Sequence, residues 1–213
     1  MTPKFSEAVD PIFLHVLRML EQIDRGENPE AKEERQRIRG LFDQADAKLG
    51  NTADWQLAKY ALVAWIDEVL IEAPWDGRNW WNENALEQEI FNGRRAFLQF
   101  YFKAKEASTL PRRDALEVFY VCAVLGFRGL YRDPVEAAAE APSHELPADL
   151  ESWARQISMA INLGQGLPPI NETGQSADGA PALESKAFFV SYLLIGVILA
   201  GINLVVLAYF FRS

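Results

Sequence analysis

Residues 60–71 read YALVAWIDEVLI, ten apolar side chains around one adjacent pair of acids, Asp67 and Glu68. A surface helix keeps one polar face, whereas a helix that is apolar all round belongs in the interior of a bundle. The stretch predicts a central helix that starts after Thr52 and ends in a turn at Ala73–Asn79, where Pro74 and the pair Asp76-Gly77 act as breakers. Its two acids need compensation, because a charge taken out of water without a partner costs several kcal/mol. Three readings are open. A carboxylate accepts backbone N–H groups from the following loop, or it pairs with an arginine such as Arg78, Arg128 or Arg132. In the third reading, Glu68 and Glu72, one turn apart, present an acidic strip to a partner. Like charges four residues apart cost only a few tenths of a kcal/mol, so a helix tolerates such a strip.

Outward from this segment, residues 1–163 carry apolar positions at three- and four-residue spacing with no alternating strand pattern, and the expected fold class is all-α. Val9, Ile12, Phe13, Val16, Leu17 and Leu20 form the stripe of a first helix closed by Gly26, with His15 off the stripe and expected at the surface. A second helix takes Asn28 as cap and Pro29 as first residue, buries Ile38, Leu41, Phe42, Ala45 and Leu49, and stops at Gly50. Beyond the central helix, Asn82 is expected to cap a short helix through Leu86, Ile90 and Phe91, stopped near Gly93. Arg94–Ala107 forms the next helix, with Phe97, Leu98, Tyr101 and Phe102 as its large apolar positions. Pro111 opens another, apolar from Leu116 to Leu125 and ended by Gly126-Phe127-Arg128-Gly129. Asp133-Pro134 starts a short alanine-rich turn of helix, and the last of this series spans about Ala148–Leu163, with Leu150, Trp153, Ile157 and Ile161 inward.

Composition excludes several kinds of chemistry. Cys122 is the only thiol and His15 and His144 the only imidazoles, so no intrachain disulfide forms and a structural zinc site is not expected. Cys122, inside an apolar helix, reads as an inert core residue. A net charge of -9 without a basic patch speaks against nucleic acid. No Gly-x-Ser-x-Gly, phosphate-cradling lysine loop, His-Glu-x-x-His or Cys-x-x-Cys occurs, and neither a cofactor nor catalysis is expected. Five of the six tryptophans, Trp55, Trp65, Trp75, Trp80 and Trp81, fall within 27 residues. Trp55 and Trp65 read as core, while Trp75, Trp80 and Trp81, in or beside the turn, fit a core or an interface equally.

Residues 164–186 hold four glycines and three prolines and read as a flexible linker, with a random-coil reach of roughly 25 Å. Residues 187–211 contain no Asp, Glu, Lys, Arg or His. As a helix of about 37 Å they suffice to cross a hydrocarbon core of about 30 Å. No secretory signal opens the chain, and only residues 212–213 follow the span, so the expected topology is N-terminus in the cytoplasm and C-terminus in the periplasm. Within the span, Gly196 and Ala200 have the small-x-x-x-small spacing that lets helices approach. Asn203, about 6 Å from the midpoint, favours an interhelical hydrogen bond. Association into a homodimer or higher oligomer is the expectation there.

Tyr60 through Glu68, then Pro74-Trp75, Trp81, Leu86 and Phe91, together with FYVCAVLGFRGLY at residues 119–131, resemble the IcmH/DotU family, whose type VI secretion member is TssL. The resemblance runs from about Val9 to Phe211. It implies a bacterial inner-membrane secretion component whose cytoplasmic domain is built as two small packed helical bundles. The implied partners are an IcmF/TssM-type membrane protein, a TssK-type baseplate protein and a TssJ-type lipoprotein. The family's acidic pair, implicated in partner contacts, maps onto Asp67 and Glu68. Where the family often has a Gly- and Glu-rich run, this chain has Asn92-Gly93-Arg94-Arg95-Ala96, so no acidic contact is expected from that region. Some members carry a peptidoglycan-binding domain after the membrane helix. This chain ends at Ser213, and direct cell-wall anchoring is not expected. The expectation is a non-catalytic scaffold of a type VI membrane complex that tethers the baseplate, with a partner surface at Asp67, Glu68, Glu72, Trp75, Trp80 and Trp81. The alternatives are the equivalent type IVB subunit and, from another class, a membrane-anchored enzyme working through Asp67 and Glu68. The enzyme would show a ligand-sized cleft with raised carboxylate pKa values.

Overall fold

The computed structural model describes residues 1–165, so the expected span with Gly196, Ala200 and Asn203, and nearly all of the linker, lie outside the described residues. Among the described residues there are nine α-helices and no strand. They are α1 Pro3–Asp24, α2 Ala31–Leu49, α3 Ala53–Glu72, α4 Arg78–Glu83, α5 Leu86–Phe91, α6 Ala96–Ala107, α7 Asp114–Val124, α8 Pro134–Glu140 and α9 Leu150–Gln165. Single 3-10 turns sit at Gly129–Arg132 and Ala141–His144. None of these helices is long and apolar enough to cross a membrane.

The first two helices pair antiparallel: Lys48 Nζ reaches the Glu7 carbonyl at 3.2 Å near one end, and His15 Nε2 meets Glu34 Oε2 at 2.8 Å toward the other. α1 runs unbroken through Pro11, although proline has no N–H for the carbonyl of Glu7 four residues back. The Lys48 ammonium takes that carbonyl instead. The buried face of α1 is Phe5, Ala8, Val9, Ile12, Phe13, Val16, Met19 and Ile23. Leu17, expected on the buried stripe, is 36% exposed and Leu20 is only partly covered, because the real stripe continues through Met19 and Ile23. His15 is half-buried rather than free at the surface, drawn in by the buried Glu34, which also pairs with Arg37. α2 starts later than Asn28-Pro29 suggested. Glu30 is its cap, its carboxylate accepting the N–H of Glu33 at 2.8 Å, and Asn28 bridges to Asp76 instead.

α3 is the axis, entered at Thr52, whose hydroxyl accepts the N–H of Trp55. Its apolar surface is buried on one side by Phe5, Phe13 and Phe42, against the rings of Trp55 and Trp65, and it packs against α4, α5, α6 and α7. α6, α7 and α9 contribute a second aromatic group in which Phe100 stacks on Phe127 with ring centres 3.9 Å apart and lies edge-on to Phe119, while Trp153 of α9 closes on Tyr101. The two helical groups share one continuous hydrophobic cluster, with α3 common to both. Cys122 is fully buried within it, and burial pushes its thiol pKa up.

Two more expected starts move. Asn82 lies inside α4 rather than capping the helix after it, and α7 begins at Asp114, not Pro111. α8 starts at Asp133-Pro134 as expected, and the Asp133 carboxylate caps it, accepting the N–H groups of Val135 and Glu136.

Candidate functional site

Asp67 and Glu68 are consecutive on α3 and face different walls of one cleft of about 250 Å³, whose lining also includes Glu87, Arg94, Phe97 and Arg132. Asp67 is 6% exposed. Its Oδ1 accepts the Trp81 indole N–H at 3.0 Å and the Leu86 N–H at 2.9 Å, and its Oδ2 accepts the Glu87 N–H at 2.8 Å. The last two donors open α5, a six-residue helix without a capping side chain of its own. Asp67 thus caps from across space a helix that local sequence leaves uncapped.

Glu68 holds the opposite wall. Its Oε1 accepts the N–H of Arg128 at 2.7 Å and of Gly129 at 3.1 Å, and Arg132 approaches at 3.4 Å while also pairing with Glu72 at 2.9 Å. Gly129, at φ +49, is required here for two reasons: the backbone is left-handed, and a Cβ would meet the Phe97 carbonyl oxygen at 2.6 Å.

A third carboxylate, Glu87, completes the set. It is 6% exposed and accepts the Tyr60 hydroxyl at 2.8 Å and the N–H groups of Arg95 and Ala96, both at 3.1 Å, at the start of α6. Burial raises the Asp67 pKa to about 6, with the Glu87, Leu86 and Trp81 donors pulling the other way. Burial likewise raises that of Glu68, against the N–H groups of Arg128 and Gly129 and the Arg132 charge. Burial and then the Glu87 carboxylate raise that of Tyr60. Among the described residues no three His, Cys, Asp or Glu side chains gather in a way that would hold a metal ion.

With this geometry, comparison with known proteins separates fold from family. The TssL cytoplasmic domain from Acinetobacter baumannii is similar in structure, with a TM-score of 0.58 over 75% of this chain and 98% of that one; at 24% identity the likeness speaks for the fold. No curated protein matches the chain. The family model described as type VI secretion system protein DotU matches residues 4–212. The chain belongs to the DotU family. That match covers nearly the whole sequence, including residues 187–211.

Within this DotU chain the expected partner residues divide by exposure. Asp67, Glu68, Trp75 and Trp81 are buried. Trp81 donates to Asp67, and Trp75 donates from its indole N–H to the Leu70 carbonyl at 2.8 Å. Glu72, with its side chain 44% exposed, and the half-buried Trp80 reach the surface, Trp80 beneath the Arg35 guanidinium at 6.0 Å. Of the three arginines offered as partners, Arg132 pairs with Glu68, Arg128 contributes its backbone N–H, and Glu68 takes the loop donors as well. Glu87 was not singled out from the sequence, and Phe97 read there only as one of the apolar positions of the helix expected at Arg94–Ala107. Glu87 sits in a polar run, ENALEQEIF, that gives no sign of burial. Phe97 stands out only in three dimensions, as a large apolar side chain 48% exposed at the cleft.

Proposed function

We propose that the chain is a non-catalytic scaffold of a type VI inner-membrane complex, anchored by a single membrane helix at residues 187–211, with residues 1–163 in the cytoplasm and the C-terminus in the periplasm. It tethers the baseplate. Membership in the DotU family over residues 4–212 is the observation that carries this reading, and the type VI description of that family favours it over the type IVB subunit. The uncharged stretch at 187–211 supports the anchor. Its partners are an IcmF/TssM-type membrane protein, a TssK-type baseplate protein and a TssJ-type lipoprotein, as the resemblance implies, with self-association through Gly196, Ala200 and Asn203. The docking surface is the rim around the α3 carboxylates. Glu72, joined to the cleft through Arg132, and Phe97 on its rim meet the partner, with Trp80 of α4 as a further contact, while Asp67, Glu68 and Trp81 hold the walls and the buried Trp75 packs beneath Trp81.

The enzyme reading predicts a cleft and raised carboxylate pKa values, and both are present. The carboxylate oxygens, however, already accept backbone or indole N–H groups. A general base needs a free acceptor within reach of a substrate proton, and this arrangement favours a structural role for both acids.

The test captures full-length protein from its own membranes beside Glu72→Arg and Phe97→Ala forms. Loss of the baseplate protein with the membrane partner retained supports docking at this rim. Retention of the baseplate protein by both variants overturns it. Glu68→Arg is unsuitable, since it would release the 128–129 turn.

A further inference from the structure

The first turn of α6 has no capping side chain of its own, for Arg95 at its cap position makes no such bond. The Glu87 carboxylate, from the preceding helix, accepts the N–H groups of Arg95 and Ala96 and places a negative charge at the positive end of the α6 dipole. Glu87 is itself pinned twice, through its backbone N–H to Asp67 and through its carboxylate to the Tyr60 hydroxyl. On the far side, the Phe97 carbonyl lies against Gly129, the residue whose N–H Glu68 holds. The start of α6 is therefore wedged between a carboxylate and a turn, each fixed to α3. The side chain that this turn carries to the cleft rim is Phe97, the large apolar group left half in water.

We propose that Glu87 is the positioning residue of the cleft: its carboxylate sets the first turn of α6 and thereby the place of Phe97 on the rim against which a partner packs. The role of the rim rests on the docking reading above, whereas the placement of α6 does not.

Amide hydrogen exchange of the full-length protein in detergent separates the two. Glu87→Ala is expected to speed exchange at residues 95–98 by about tenfold or more, the scale of losing a hydrogen bond to a charged acceptor, with α1 and α7 unchanged. Glu87→Gln keeps the side-chain size but turns an NH2 group toward one of the two N–H donors. It is expected to speed the same residues, and it decides the matter if the alanine form fails to fold. Unchanged exchange at 95–98 in a folded Glu87→Gln protein overturns the proposal, as does a rise spread evenly over α1 and α7. In capture of the TssK-type baseplate protein, Phe97→Ala added to Glu87→Ala should cause no further loss. Additive losses overturn the link between the two residues. Intact capture by Phe97→Ala alone overturns the part given to Phe97 in docking and leaves the exchange result to judge the placement of α6.

Discussion

The α1–α2 hairpin and the walls of the cleft are both helical, but they are held by different forces. α1 and α2, of 22 and 19 residues, are long enough to bury continuous apolar stripes on each other and on α3. Their stability is spread over many side chains. The cleft walls are pieces of six, six and four residues, α4, α5 and the 129–132 turn. Isolated helices so short do not hold in water, because the nucleation cost is barely recovered. The N–H ends of α5 and of the 129–132 turn are fixed by carboxylates on α3, and α4 is tied to the same helix through the Trp81 indole N–H. A region held by area loses a fraction of its stability with each substitution. A region held by a few charged acceptors can lose its shape with one.

The largest test of this contrast is Asp67→Ala, which leaves three donors without their acceptor and should cost about 4 kcal/mol, on the scale of breaking a buried charged contact. Thermal or denaturant unfolding measures it, and a loss below about 1 kcal/mol would show that α5 holds without the cap. The same residue sets a pH dependence. Its folded pKa of about 6 lies above the ordinary 3.8, so the stabilisation it gives is full below about pH 4 and is lost as pH rises through about 6. The wild-type protein should therefore gain stability on acidification from pH 7 to 4 relative to Asp67→Asn, and parallel pH profiles for the two would refute the assignment.

Two glycine substitutions sharpen the comparison with smaller effects of opposite sign. Gly129→Ala drives a methyl into the Phe97 carbonyl from a left-handed backbone and should destabilise by about 2 kcal/mol. Gly40→Ala, inside α2 with open space where a Cβ would stand, should stabilise by about 0.5–1 kcal/mol. If both glycines respond alike in unfolding experiments, the cleft is no more tightly determined than the hairpin.

The sequence displayed what depends on repeating local patterns. The all-round apolarity of residues 60–71 marked α3 as the central helix, and helices begin after Thr52 and at Asp133-Pro134 where the sequence placed them. Trp55 and Trp65 are core, as their neighbours suggested. Misplaced starts had one cause. Asn28, Pro111 and Asn82 carry strong local signals, yet Asn28 serves Asp76, and the helices expected after Pro111 and Asn82 begin three and four residues later. Asp114 shows the same limit. In the first turn of α7 it is buried and accepts the Thr2 N–H at 2.5 Å and hydroxyl at 3.0 Å, fastening the entry of α1, a role that nothing in its local sequence marks.

By itself the sequence determined the helical class, the axis of the bundle and the uncharged segment at 187–211, because periodicity and composition are properties of neighbours along the chain; the family came from the resemblance of its motifs. Only the tertiary structure decided which carboxylate holds which helix: Asp67 for α5, Glu87 for α6, Glu68 for the 129–132 turn. A cap supplied from eight to 61 residues away leaves no local trace, since the donors are backbone N–H groups that every residue but proline owns. What distinguishes the ones that are held is where folding places them.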